Sequence, residues 1–165
     1  MARLTLSEIW IYPIKSFAGI RLSKAKVKQK GLEFDRRMML VDEKGRFITQ
    51  REHSLMARFR LSMDKRELLV ESLLDDSKMS LVIGLDQPAR LPALSVTIWD
   101  DKVQAIELNP TYSNWFSTQL KMNCKLVYFP ENNVRAVDPK YAMNNDQVSL
   151  ADGYPFLIIG QSTLD

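Results

Sequence analysis

Lys15 and Ser16 stand side by side, just after the apolar run Ile9-Trp10-Ile11 and a proline, Pro13. The run reads as a strand, Pro13 ends it, and Ala18-Gly19 closes a tight loop. A lysine supplies positive charge, a serine supplies a hydroxyl donor, and a glycine lets backbone approach a ligand. Together they suit an oxyanion such as phosphate. The same residues also make a plain strand-ending loop.

Three further segments carry residues of the same kind. Gly31-Leu32-Glu33-Phe34-Asp35-Arg36-Arg37 runs into the apolar Met38-Met39-Leu40-Val41. An arginine there could fork onto a phosphate, or it could pair with Asp35 or Glu33 on a strand surface. Strand alternation puts Arg36 and Arg37 on opposite faces. Phe47-Ile48-Thr49-Gln50-Arg51 offers Thr49 and Arg51, as pocket supports or as an ion pair with Glu52. Asp152-Gly153-Tyr154-Pro155 precedes the apolar run Phe156-Leu157-Ile158-Ile159. Gly153 and Tyr154 could bring backbone to a ligand or form a simple turn before a strand.

The elements that must hold these residues read as β structure. Residues 5–12 and 20–28 alternate in polarity, and 38–41 reads as a buried run. Asp42-Glu43-Lys44-Gly45 is a turn that makes 38–49 a hairpin. The stretches 67–71 and 79–83 flank the turn-forming Asp75-Asp76-Ser77, and 95–106 is a further hairpin around Asp100-Asp101. Pro110 suits a first helical turn, and Tyr112, Trp115, Phe116, Leu120 and Met122 recur at helical spacing, which predicts one amphipathic helix over 110–122. Residues 125–129 form the next strand. Residues 131–145 are polar and irregular, the best domain boundary in the chain. Residues 156–159 read as a buried strand, and a helix is expected to begin at Ser162. A single turn is too short to persist, so the chain is expected to be a piece of a longer protein.

The segments Lys15-Ser16-x-x-Gly19, Gly31-Leu32-x-x-Asp35-Arg36, Phe47-Ile48-Thr49-x-Arg51 and 152–164, in that order, resemble the N-terminal β-barrel domain and opening of the MOSC family, the kind that includes amidoxime-reducing and cofactor-sulfurase proteins. The resemblance covers nearly the whole chain. It implies a mainly β fold: a barrel-like domain with one packed helix over 1–130, then a linker and the first elements of a MOSC domain over 131–165. It implies that Lys15, Ser16 and Arg36 hold the phosphate end of the molybdenum cofactor (molybdopterin), with Gly153 and Tyr154 beside the pterin. Relatives often carry Cys at the position of Phe17, which alters the packing and polarity of the pocket. The family's molybdenum-ligating cysteine lies further downstream than this chain reaches, so the resemblance assigns Cys124 no such role. The parent is expected to be a molybdenum-cofactor oxidoreductase that reduces N-hydroxylated compounds, with this part supplying binding and orientation and inactive alone. Expected partners are the remainder of the MOSC domain and an electron-donor protein or fused iron–sulfur domain. Pyridoxal phosphate is not expected. The alternative is a non-enzymatic module that binds a phosphorylated ligand or sulfur-carrier partner.

Composition narrows the remaining classes. The chain has 165 residues, 45% hydrophobic and 26% charged, ordinary for a globular domain. The net charge of +3 is spread along the chain without aromatic–basic interleaving, which argues against nucleic acid. No apolar run in the sequence reaches the roughly 18 residues of a membrane span. One cysteine, no visible secretory signal and a single histidine point to a reducing cytoplasm and away from a disulfide framework or a histidine-rich metal site. Cys124 reads as a small buried hydrophobe and His53 as solvated surface. Trp10, Trp99, Trp115 and the Met38-Met39 pair read as core.

Overall fold

Apolar residues on every position of a short strand require cover on both faces, and the computed structural model, which describes residues 5–83 and 92–163, supplies it. Strand β1 (Ile9–Ile11) pairs with β2 (Ile20–Leu22), and β3 (Val27–Lys28) with β4 (Gly31–Leu32). Next comes β5 (Met38–Val41). A 3-10 turn over Ser54–Arg58 leads to the meander β6 (Phe59–Asp64), β7 (Glu67–Ser72) and β8 (Lys78–Val82). Strands β9 (Ala93–Ile98) and β10 (Asp101–Glu107) form a hairpin, followed by helix α1 (Pro110–Leu120) and β11 (Lys125–Tyr128). The central sheet has the order β5-β11-β10-β9, all antiparallel. The fold is mainly β, a half-barrel with one packed helix, as the sequence predicts.

The pleat divides the core in two. Met38 and Leu40 of β5, with Leu126 and Tyr128 of β11, face a cluster shared with Phe59, Leu68 and Val70 of the meander and Phe116 of α1. Met39, Val41, Val127 and Phe129 face the opposite cluster, with Val96, Ile98, Val103 and Leu150. A one-residue slip of β5 would exchange the two sets, so burial on both sides fixes its register.

The helix ends two residues before the predicted position. Asn109 Oδ1 accepts from the Thr111 N–H at 3.0 Å at one end. At the other, Lys121 adopts a left-handed conformation (φ 54°) and its N–H closes on the Ser117 and Thr118 carbonyls. Gln119 ties the helix to the meander. Ser72 Oγ donates to its Oε1 (2.7 Å), and its Nε2 donates to Asp75 Oδ2 (2.8 Å) and Ser77 Oγ (3.1 Å).

Several sequence expectations are replaced. Residues 20–28 break into two short strands, because 20–22 pair with β1 whereas 27–28 pair with β4, and Val27 is 68% exposed. Trp10 and Trp99 lie at the surface, whereas Trp115 packs edge-on against Phe59 and Phe116. Phe156–Ile159 is neither strand nor buried: Leu157 is 76% and Ile158 93% exposed, because no neighbouring element in the described residues covers them. Residues 161–163 form a 3-10 turn, and Leu164 and Asp165 lie outside the described residues.

Residues 131–152 have little regular structure but are anchored at both ends. Lys30 and Arg37, each 1% exposed, converge on Glu131, whose Oε1 accepts from Arg37 Nε at 2.6 Å. Arg135, 5% exposed, is a clamp. Its guanidinium donates to Asp101 Oδ2 (2.7 Å) and to the carbonyls of Ser149 (2.9 Å), Ala151 (2.5 Å) and Asp152 (3.0 Å). A planar fork can satisfy several carbonyls at once, and an ammonium cannot.

Two outcomes are expected. Arg135→Lys forfeits at least one charge-assisted bond of roughly 1.5 kcal/mol, so amide exchange at Leu150 should quicken about tenfold or more. Unchanged protection there would mean that the clamp does not hold the segment. Hydrogen bonds donated by Gln119 and Ser77 hold the Asp75 carboxyl at about 2. A depressed carboxyl gives stability above its unfolded value, about 3.9, that is lost as pH falls toward the folded one. Urea midpoints of the wild type should therefore drop more steeply below about pH 4 than those of Asp75→Asn.

Candidate functional site

Two loops meet at the head of β5. Tyr12, just past β1, donates its N–H to Asp35 Oδ1 at 2.7 Å. Lys15 donates its N–H to the Met38 carbonyl (2.8 Å), Met38 returns one to Pro13 (3.1 Å), and Ile14 and Met38 form a parallel bridge. Phe17 then plunges into the main core, 3% exposed, with its ring 5.3 Å from Phe59 and 5.4 Å from Phe116. That anchor leaves Ser16 at the bend in a left-handed conformation, φ 64°.

The second loop sorts the two arginines. Arg36 is also left-handed, φ 49°, and its N–H donates to the Tyr12 carbonyl at 2.8 Å. Its guanidinium pairs with Asp35 and lies 4.8 Å from the centre of the Tyr12 ring. The side chain stays 25% exposed and opens onto a cavity. Arg37 points the other way, to Glu131 and the Asp35 carbonyl. Arg36 therefore pairs with Asp35, one of the two expected partners, and also lines a cavity.

The cavity encloses about 310 Å³. Lys15, Ser16, Phe17, Arg36, Phe47, Thr49, Gln50 and Arg51 line it, together with Tyr12, Trp99, Ala151 and Asp152. Three of its residues, Ser16, Arg36 and Trp99 (φ 52°), hold left-handed backbone without being glycine. Such conformations persist only where surrounding structure enforces them, and they gather at functional sites. A second concavity, lined by Leu6, Ser7, Glu8, Ile9, Arg21, Leu22 and Ser23, is larger at about 490 Å³. Its charged pair, Glu8 with Arg21 at 3.1 Å, neutralises itself, so it lacks converging polar groups.

The electrostatics centre on Lys15. Burial pushes its ammonium pKa down, and the nearby Arg135 and Arg36 charges add to this, while Asp152 works against them. Asp152 Oδ1 accepts from Lys15 Nζ at 2.5 Å and from Trp99 Nε1 at 3.0 Å. Partial burial opposes ionisation of Asp152, but those two bonds and the Lys15 and Arg51 charges outweigh it and hold its carboxyl below the ordinary range. Arg51 lies 5.7 Å from the Trp99 ring, and the partner of Glu52 is Arg46, at 2.6 Å.

Gly153 and Tyr154 fall outside this lining. Space beside Gly153 is open, and the Tyr154 ring, 43% exposed, packs 5.8 Å from Tyr141. Asp152 and Trp99 were the unforeseen residues. Each sits in a segment singled out from sequence, but what brings them together is the Arg135 clamp and the turn after β9. His53 is half-buried before the 3-10 turn. Cys124 is buried under the end of α1, where burial pushes its thiol up despite a hydrogen bond with Ser117. Among the described residues no group of three or more His, Cys, Asp or Glu is placed to hold a metal ion, and no helix is long and apolar enough to cross a membrane.

Comparison with known proteins agrees with this architecture. Mitochondrial amidoxime-reducing component 1 of Mus musculus is 28% identical over 169 aligned residues, which take in 98% of this chain and 49% of that protein. Molybdenum cofactor sulfurase of Bombyx mori is 24% identical, across 98% of this chain and 20% of its own length. The chain thus spans about half the length of the first relative and a fifth of the second. A solution structure of a Bordetella bronchiseptica protein shares the fold at a TM-score of 0.50 and 8% identity, covering 66% of this chain and 90% of that one. The profile of the MOSC N-terminal beta barrel domain matches residues 3–123, and the chain belongs to that family.

Proposed function

We propose that this chain is the cofactor-positioning part of a molybdenum-cofactor oxidoreductase, and that Lys15, Ser16 and Arg36 hold the phosphate end of molybdopterin. The observation that supports this most is the convergence of those three side chains, from two loops about twenty residues apart, on one cavity. An ammonium, a guanidinium and a hydroxyl suit a phosphate, and Thr49, Gln50 and Arg51 add donors to the same lining. The volume sits at the lower limit for small-molecule sites, enough for the phosphate end with the pterin reaching outward. Gly153 and Tyr154 would meet that outward part from the rim.

When bound, the cofactor supplies the redox chemistry, and this chain's residues bind and orient it. The name of one relative, an amidoxime-reducing component, favours a reaction on N-hydroxylated compounds. The setting proposed from the sequence is a reducing cytoplasm, with electrons from a donor protein or a fused iron–sulfur domain. The division of labour falls near residue 130. Residues 1–130 form the barrel, and 131–165 lead into the remainder of a MOSC domain. The exposed apolar run Phe156, Leu157, Ile158 and Ile159 is the surface that the remainder would cover.

In the full-length protein, Arg36→Ala should lower molybdenum content at least about tenfold, the value of one charge-assisted bond. Its unfolding midpoint should fall, because the buried Asp35 carboxylate keeps the Tyr12 N–H but loses its guanidinium partner, so metal loading is compared on the folded fraction. Undiminished metal loading in the folded variant would sink the assignment.

A further inference from the structure

The Lys15 ammonium already has an anion. Its side chain is 8% exposed, and one oxygen of Asp152 takes hydrogen bonds from both Lys15 Nζ and Trp99 Nε1. Asp152 itself is very different: its side chain is 63% exposed. Its backbone is held by the Arg135 clamp, which binds the carbonyls of Ala151 and Asp152. The carboxylate can therefore leave Lys15 by side-chain rotation alone, without moving the segment that carries it.

A buried ammonium without a counter-charge is costly, so an empty pocket needs an internal anion. An external oxyanion arriving at Lys15 would stand within a few ångströms of the Asp152 carboxylate. Like charges at that range repel strongly in a partly desolvated site. One of the two must go, and Asp152 is the one with a path to water. We infer that the Asp152 carboxylate is a built-in competitor for Lys15, which holds the ammonium in the empty pocket, swings out when a phosphate-type oxyanion enters, and so sets the affinity of the site. This rests on reading the cavity as an oxyanion site.

Trp99 reports the exchange directly, because its indole N–H loses its acceptor when the carboxylate leaves. Inorganic phosphate is titrated into the protein and into Asp152→Asn, Asp152→Ala and Lys15→Met, following the indole N–H resonances by NMR. Trp99→Phe assigns the signal. Both Asp152 variants should bind phosphate about tenfold more tightly than wild type. The wild-type Trp99 signal should move on saturation toward its position in Asp152→Ala. If Lys15→Met weakens binding but the Asp152 variants bind no tighter, the competition is overturned and the oxyanion pocket stands. If no form binds phosphate and the Trp99 signal never moves, both fall.

Discussion

The buried carboxylate of Asp35 is the interaction on which the site depends. It is 2% exposed, and a buried carboxylate is tolerable only with partners. Its partners come from both loops: the Tyr12 N–H from the first and the Arg36 guanidinium from the second. Its own backbone carbonyl accepts from Arg37. One acidic group thereby locks the Lys-Ser loop to the entry of β5 and forces two consecutive arginines to opposite sides. The positive backbone angles at Ser16 and Arg36 are a cost of that junction, offset by the bonds it closes.

Beneath the junction, burial on both faces makes β5 a fixed platform. A strand with one wet face could slide or twist to relieve the loops above it. Here Phe17 sits in one core cluster and Phe47 in the other. Both also line the cavity, so its walls are continuous with close-packed interior. A phenylalanine at position 17 thus serves as the loop's anchor, and the pocket's polarity comes from Lys15, Ser16, Thr49 and Arg36 around it.

The segment after β11 works by polar clamps more than by hydrophobic cover. Arg135 gathers three carbonyls, and Lys30 and Arg37 gather Glu131. Val137, Val148 and Ala151 add a small apolar cluster of their own. This arrangement carries Asp152 to Lys15 across 137 positions of sequence. It then releases the chain into the exposed apolar stretch beyond Tyr154.

Much of this was legible in the sequence, where local signals decide the outcome. The turn at Asp42–Gly45 (though its return makes only an isolated bridge, Val41 with Phe47, because β5 pairs with β11), the hairpin at Asp100, the helix start at Asn109-Pro110 and the all-buried Met38–Val41 follow from turn chemistry and hydrophobic pattern, which act over a few residues. So did the candidacy of Lys15, Ser16 and Arg36, whose residue types already carry the chemistry. Tertiary structure decided what depends on distant partners. It chose Arg36 over Arg37 for the cavity, because only Arg37 could reach Glu131. It placed Trp99 on a cavity wall instead of in the core, and it left Phe156–Ile159 exposed although the apolar pattern reads as buried. It also set Asp152 on Lys15 through a guanidinium clamp. A hydrophobic period or a turn motif tells which residues prefer burial or bending. Which charge meets which is settled only when folding brings remote segments within hydrogen-bond reach.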